Sequence, residues 1–526
     1  MHRLYVSGLF LLFLLFSICS PLSGQVENPL RGAGPDTLKP KIRMDTARFW
    51  RDSMERRRYL RDGEYEKDRA ARLRTKRRKF KIRYSDRIQY AAYLTWPYTT
   101  AAGIPSSLLL QKTAANLDQQ LFTPSWWTDS TNRQTRRSIP KRLLRMLLLD
   151  MTVESVLLGV QQDMLGHAIR AKEEDVPFFS NYSIRPPIPF WLAAGKLDLS
   201  DPLLQQKYSR QQLAQVAAAG LESSNLVTDE LAIRWMMRGS VDYREALHYL
   251  RHQTANLVGV ALANDKGPGT NPFSNYLYFA NKEFGYISSY NYTANNLRRD
   301  YMLSTFTNPL LYNSIINVFH NYLRYGEDSV QLRAIPLGHA KSVMPWVRLN
   351  LTPFGTEWMP ELAFRYHRQV AQVYARLGNN AFSETYGGGI RLYNIVRNTR
   401  ASVNLHGAFW NQQYLYKSWS GQTVQPIGWG WMAGLSTFIK LSKNQHPVSL
   451  ALNASYKSQG YVEGEPWQAG PVIKVGLSFA LERDYEEDDT VPEYEFVTSR
   501  KSKKSGVRRK NAMKRRPAPK NIDPGY

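Results

Sequence analysis

The stretch Val472-Ile473-Lys474-Val475-Gly476-Leu477-Ser478-Phe479-Ala480-Leu481 decides the fold. Successive side chains of an extended strand point to opposite sides. Ile473, Val475, Leu477, Phe479 and Leu481 therefore share one face, and Lys474, Gly476 and Ser478 the other. The rhythm recurs just upstream, where Val448, Leu450, Leu452, Ala454 and Tyr456 alternate with Ser449, Ala451, Asn453, Ser455 and Lys457. One face suits hydrocarbon and the other a wet or polar interior. An unpaired backbone N–H or C=O in hydrocarbon costs several kcal/mol, so strands of this kind are expected to close into a transmembrane barrel.

Seven segments read as strands: Val343 to Leu351, Leu362 to Val370, Tyr386 to Val396, Arg400 to Phe409, Trp429 to Leu441, Val448 to Tyr456 and Val472 to Leu481. The aromatic run Tyr276 to Tyr292 is expected to add a hairpin, giving about eight to ten strands. Arg397-Asn398-Thr399 reads as a tight turn, Asn411 to Pro426 as a long outward loop, and Trp429 and Trp431 as interfacial aromatics. A soluble sandwich with one wet face shows the same alternation. The barrel is preferred because these segments exceed the usual five or six residues of a strand.

Upstream the texture is helical. Ser138 and Pro140 mark the start of a helix to about Lys172, so apolar between Leu143 and Leu158 that burial all round is expected. Ser209 to Arg238, with a break near Ser223 to Thr228, and Asp242 to Asn264, opened by Ser240, are expected to complete a helical bundle. Asn308-Pro309 opens another helix, ended at Tyr325 by Gly326.

The N-terminus carries Arg3, an apolar run from Leu9 to Phe16 and small or turn-forming residues to Gly24, which is the pattern of a cleaved export signal. Cys19 is the only cysteine, so the exported chain is expected to hold neither disulfide nor thiolate chemistry. The net charge of +26 is concentrated at the ends. Lys41 to Arg87 carries 19 basic against 8 acidic residues, and Arg500 to Lys520 carries 11 basic residues with no acid. Such runs read as solvated arms that would meet an anionic periplasmic polymer, lipid headgroups or other envelope proteins, and export excludes nucleic acid as the partner.

By alternation and composition, the C-terminal part resembles the outer-membrane β-barrel proteins of Gram-negative bacteria. That resemblance implies residence in the outer membrane. A second, degenerate resemblance is to the zinc metallopeptidases of the gluzincin type. Their His-Glu-x-x-His helix is matched in spacing by Asp163-Met164-Leu165-Gly166-His167, with Glu222 on a later helix. The resemblance implies one divalent metal, zinc in that family, on Asp163, His167 and Glu222. Met164 stands where the general base belongs, and Arg170 beside Asp163 and His167 favours a buried polar cluster instead. His248 and His252, four apart with Arg251 between them, read as a helix surface.

No residue is assigned a catalytic or cofactor-binding role: the chain has no nucleophile elbow and no phosphate loop. Arg348, Arg365, His367, Arg391, His406 and Lys440 are expected to line the barrel interior, as a polar plug in preference to a conducting lumen. The reading is thus an α+β chain organised as a signal peptide (1–24), a basic arm (25–85), a helical domain (86–265), an antiparallel transmembrane β-barrel with one inserted helix (266–483, helix 309–325) and a charged tail (484–526). The expected role is non-catalytic, in assembly, anchoring or transport at the outer membrane. A membrane-embedded metal-dependent hydrolase is the alternative.

Overall fold

The ladder around Val472 to Phe479 sets the architecture. In the computed structural model, ten strands form one antiparallel sheet. The structure describes residues 83–85, 88–121, 139–177, 183–185, 191–193, 199, 201–288, 291–338, 341–367, 369–379, 384–397, 400–413, 427–441 and 448–484. The expected signal peptide, most of the basic arm and the charged tail lie outside them. The described residues cluster as one compact unit.

In chain order the elements are β1 (Arg83–Ser85), β2 (Tyr90–Trp96), α1 (Thr100–Leu121), α2 (139–173), β3 (Ser183–Arg185), β4 (Trp191–Ala193), α3 (Pro202–Lys207), α4 (Arg210–Arg238), β5 (Ser240–Asp242), α5 (Tyr243–Ala261), α6 (Pro272–Ser288), α7 (Ala294–Phe306) and α8 (309–325). Then follow β6 (Ser329–Gln331), β7 (Ile335–Gly338), β8 (Lys341–Thr352), β9 (Gly355–Tyr366), β10 (Gln369–Asn379), β11 (Glu384–Arg397), β12 (Ala401–Gln413), β13 (Ile427–Lys440), β14 (Val448–Lys457), β15 (Gly470–Phe479) and β16 (Glu482–Asp484).

Neighbouring strands run β2-β15-β14-β13-β12-β11-β10-β9-β8-β7. The expected large antiparallel sheet is present, but the ladder does not close on itself: the sheet has two edges, β2 and β7. Helices lie beside β2 and beside β8, the neighbour of the exposed edge strand β7. α1 packs beside β2, and α4, α7 and α8 pack beside β8. Asn225 Nδ2 of α4 donates to the Leu349 carbonyl at 3.0 Å, and the Tyr276 hydroxyl donates to the Thr352 carbonyl at 2.9 Å, so side chains meet backbone groups of β8.

Three local readings are corrected. Tyr90–Trp96, assigned to the helical region, is a strand paired with β15 from Tyr90↔Phe479 to Trp96↔Ile473. Its Ala91-Ala92 pair hides the two-residue period. The aromatic run expected as a hairpin is helix α6: Phe273, Tyr276, Leu277 and Ala280 fall at i, i+3, i+4 and i+7 and are all buried. The segment Leu362 to Val370 is not one strand but the end of β9, a turn at His367 (φ 52°) and the start of β10.

The helices show why the remaining readings hold or shift. α4 opens on a Ser209–Gln212 capping box and ends at Gly239 in the left-handed region. It runs unbroken through Ser223 to Thr228, because Ser223 donates to the Gln161 carbonyl at 2.6 Å and Thr228 to the Asn225 carbonyl at 3.0 Å. Of its 29 residues only Arg210, Glu230 and Arg238 escape full burial. Asp242, not Ser240, caps α5. Asn308 caps α8, with Pro309 in its first turn and Gly326 at its end.

α2 runs from 139 to 173 with wide π-type turns at Met146–Asp150 and Val160–Ala168. It is not buried all round. Leu144, Leu149, Val153 and Met164 are exposed, while Arg142, Arg145, Asp150, Glu154, His167 and Arg170 are turned inward. Inward groups find partners on other elements: Arg142 donates to the Leu323 and Arg324 carbonyls at the end of α8, and Gln161 donates to Ser107 at 2.8 Å. Gly166 and Gly220 let α2 and α4 cross at close range. A Cβ on Gly166 would lie 2.6 Å from the Ala219 carbonyl oxygen, and one on Gly220 2.5 Å from His167 Nε2.

The sheet has the same inverted polarity. Leu405, Phe409, Leu435, Ile439, Ile473, Val475 and Leu477 are exposed on the face away from α4, whereas Arg348, Glu361, Gln372, Ser449, Lys457, Lys474 and Ser478 are buried on the face toward it. Trp429, Trp431, Phe409, Tyr386 and Tyr456 gather on the outer face at one end, with Trp431 and Tyr456 ring centroids 5.4 Å apart. The opposite end carries the short turns after β9 and β11. There β1 pairs with β16, Arg83↔Asp484.

Candidate functional site

The groups capable of chemistry meet in the space between α4 and the inner face of the sheet. α4 presents three polar levels along its length, because polar residues recur on a helix that is enclosed on all sides. Glu222 lies toward the aromatic end, Asp229 midway and Arg238 toward the paired ends.

At the first level Arg170 of α2 grips both oxygens of Glu222, with Arg170 Nε to Oε2 at 3.0 Å. Gln215 donates to Oε2 at 3.0 Å, and the Gly464 N–H donates to Oε1 at 2.5 Å. At the middle level Asp229 faces Arg391, 2.5 Å away, and Arg348, 3.8 Å away. Arg348 also reaches Glu361 at 2.5 Å and Glu463 at 3.0 Å, and Gln372 donates to both Asp229 and Glu361. Beside these, Arg376 pairs with Glu357, and Lys474 with Glu465 at 3.2 Å. At the third level Arg238 pairs with Glu245 and Glu482.

The link between β14 and β15, residues 458–469, folds inward across the aromatic end. Tyr461, Glu463, Glu465 and Trp467 are buried. Its backbone is held from many elements: the Tyr461 carbonyl accepts from Arg376 and Gln412, the Glu465 carbonyl from Arg170, the Gly460 carbonyl from Lys457, and the Gly464 carbonyl from the Ala101 N–H. Trp467 N–H donates to Glu173. This link plugs the space that the strands and α4 leave. A cavity of about 210 Å³ lies between α1, α4, the plug and the inner faces of β10 to β14.

Of the residues expected to line the interior, Arg391 and His406 line this cavity, and Arg348 reaches Asp229 beside it. Arg365 and His367 stand at the turn after β9, with Arg365 Nε donating to the His367 carbonyl at 3.2 Å. Lys440 ends β13 opposite Ser449 at the same end. Asp229, Glu361, Glu463 and Glu465 were not singled out in sequence. The two-residue spacing Glu357, Met359, Glu361 opposite Arg348 was the available signal.

His167 Nδ1 lies 2.7 Å from the Val216 carbonyl, while Glu222 is engaged by Arg170, Gln215 and Gly464. Among the described residues no group of three or more His, Cys, Asp and Glu side chains, Asp163, His167 and Glu222 included, is placed to hold a metal ion. His248 and His252 are buried, not on a surface. His248 bonds Glu154, and His252 bonds Ser224 at 2.9 Å and Gln161 at 2.6 Å. No protein-family model, curated protein or solved structure matches the chain.

Proposed function

We propose that this chain is an outer-membrane protein whose ten strands, together with helices packed beside β2 and β8, form a lipid-facing wall around a filled interior. Its role is non-catalytic, in anchoring or assembly rather than open conduction. The observation that carries the reading is the inverted polarity: the sheet exposes Leu435, Val475 and Leu477 outward and buries Arg348, Glu361 and Lys474 inward. α2 does the same with Leu149 and Val153 outward and Arg145 and Glu154 inward. Water rewards the opposite arrangement, whereas hydrocarbon rewards this one.

Two further features support it. The aromatics at one end sit where an interface would be, and helices pack beside β2 and β8 near the two ends of the ladder. No described helix is long and apolar enough to cross a membrane alone, so strands would carry the crossing. The end with short turns and the β1–β16 pair would face the periplasm, where the basic arms would reach an anionic polymer or other envelope proteins.

Spin labels at Leu435→Cys and Val475→Cys, in protein reconstituted in vesicles, test this. Strong relaxation by oxygen and weak relaxation by an aqueous nickel chelate is expected at both. Relaxation by nickel equal to that of an exposed loop would end the membrane reading. Planar-bilayer recordings of the intact protein are expected to be silent, and steady channel currents would exclude the filled interior.

A further inference from the structure

We propose that the open β7 edge of the sheet holds an anionic phospholipid, its phosphate on Arg333 and Lys341 and its acyl chains along Ile335, Leu337 and Phe364. The inference rests on the lipid-facing reading above and names the lipid. β7 ends the ladder, so one side of its backbone has no strand partner, and all four of its residues are exposed. Hydrocarbon does not tolerate a bare edge of this kind. β7 pairs only with the start of β8, from Ile335↔Val343 to Gly338↔Lys341, at the end of the short turns. On the membrane reading this is headgroup depth, where phosphate and ester oxygens accept from edge N–H groups. Pro336 has no N–H and shortens the edge that must be satisfied.

The side chains around this edge divide as a lipid does. Ile335, Val343 and Phe364 form one row across β7, β8 and β9, with Ile335 54% and Phe364 38% exposed. Leu337 adds a further exposed apolar side chain. The next row toward the short turns is Lys341 opposite Tyr366, with the ammonium 5.1 Å from the ring centroid. Arg333 is exposed two residues before β7, and its backbone N–H is tied to Asn313 of α8 at 3.0 Å. Cations beside a tyrosine at the end of an apolar face are what a phosphate headgroup above acyl chains requires.

The sign of the headgroup follows from the sequence. From Ser329 to Thr356 and from Leu362 to Ser383 there is no acidic residue. The two acids of β9, Glu357 and Glu361, are buried on the inner face with Arg376 and Arg348. At the opposite end the outer face carries Trp429 and Trp431, which meet an interface without charge. A headgroup with a phosphate and no amine complements two cations, whereas a zwitterionic headgroup brings its own cation and gains less. An added strand is the other occupant an edge can take. Four residues, one of them Pro336, leave such a strand little ladder to form.

Native mass spectrometry of the full-length protein in detergent, titrated with dioleoyl phosphatidylglycerol or dioleoyl phosphatidylcholine, is the test. Saturable binding of phosphatidylglycerol is expected, at least about fivefold tighter than that of phosphatidylcholine. The double variant Arg333→Gln/Lys341→Gln is expected to lose that preference. Lys172→Gln/Lys282→Gln, which removes the same charge from α2 and α6, is expected to keep it. All four side chains are exposed, so neither variant disturbs the core. Equal binding of the two lipids, a preference unchanged in the β7-edge variant or lost equally in the α2 and α6 variant, or a dimer of the chain in place of bound lipid overturns the proposal. The spin labels at Leu435 and Val475 keep the two readings apart: labels in lipid without a phosphatidylglycerol preference defeat this inference alone.

Discussion

Arg170 and Glu222 are each about 1% exposed, and each is the other's principal counter-charge. Removing one leaves a buried charge without its partner, which typically costs about 3–5 kcal/mol. Arg170→Ala is therefore expected to lower the urea midpoint of unfolding sharply, and Glu222→Gln to lower it less, because the amide still accepts from Arg170. Glu482, just beyond β15, gives a pH dependence. Burial pushes its carboxyl up, but Arg238, Lys112 and the Tyr90 hydroxyl outweigh that and hold it at about 2, below its ordinary 4.5. A depressed carboxyl contributes stability that is fully present above pH 4.5 and is lost as pH falls toward 2. Unfolding midpoints measured across that window are expected to fall with pH, and to fall less steeply in Glu482→Gln. Gly220 is the point where α2 meets α4 most closely. Gly220→Ala puts a methyl against His167 and is expected to cost roughly 1–3 kcal/mol, read from the same denaturation curves.

At the scale of elements, the β14–β15 link determines whether the interior is filled. Replacing residues 458–469 with a short Asn-Gly turn removes Tyr461, Glu463, Glu465 and Trp467 from the space beside α4. Channel currents are expected from that variant in planar bilayers where the intact protein is silent, and continued silence would mean that α4 alone suffices to block passage. How much of this was legible depended on the strength of each element's local signal. β13, β14 and β15 are plain in the sequence because large apolar residues recur at every second position. β2 and β10 are not, since alanines occupy part of the outer row and erase the contrast. The helical run 276–288 misleads because aromatics favour strands on average, while their spacing here is that of a helix face. The interior residues were half legible. Arg348, Arg391 and His406 follow from strand alternation, but Asp229, the acidic partner of the two arginines, sits on a helix far away in sequence, and no periodicity links it to them.

At the scale of the whole molecule, β12 to β15 and α2 share one arrangement, with large apolar side chains exposed and charged ones buried beside the apolar core. It predicts a shared environment for both. Labels at Leu149→Cys and Val153→Cys on α2 are expected to report the same oxygen-rich, nickel-poor surroundings as labels on the sheet. Sheet labels in lipid with α2 labels in water would mean that the helices sit outside the bilayer. The pairing of β1 with β16 carries a last consequence. Because the first and last described strands lie side by side, the described fold is nearly a ring in its connectivity, and the helices are held inside the loop that the ring makes. A chain reopened at the turn between Arg397 and Arg400 and rejoined through Arg83 and Asp484 would traverse the same contacts in a different order. The two openings would differ in the order in which the contacts form and not in which contacts are made.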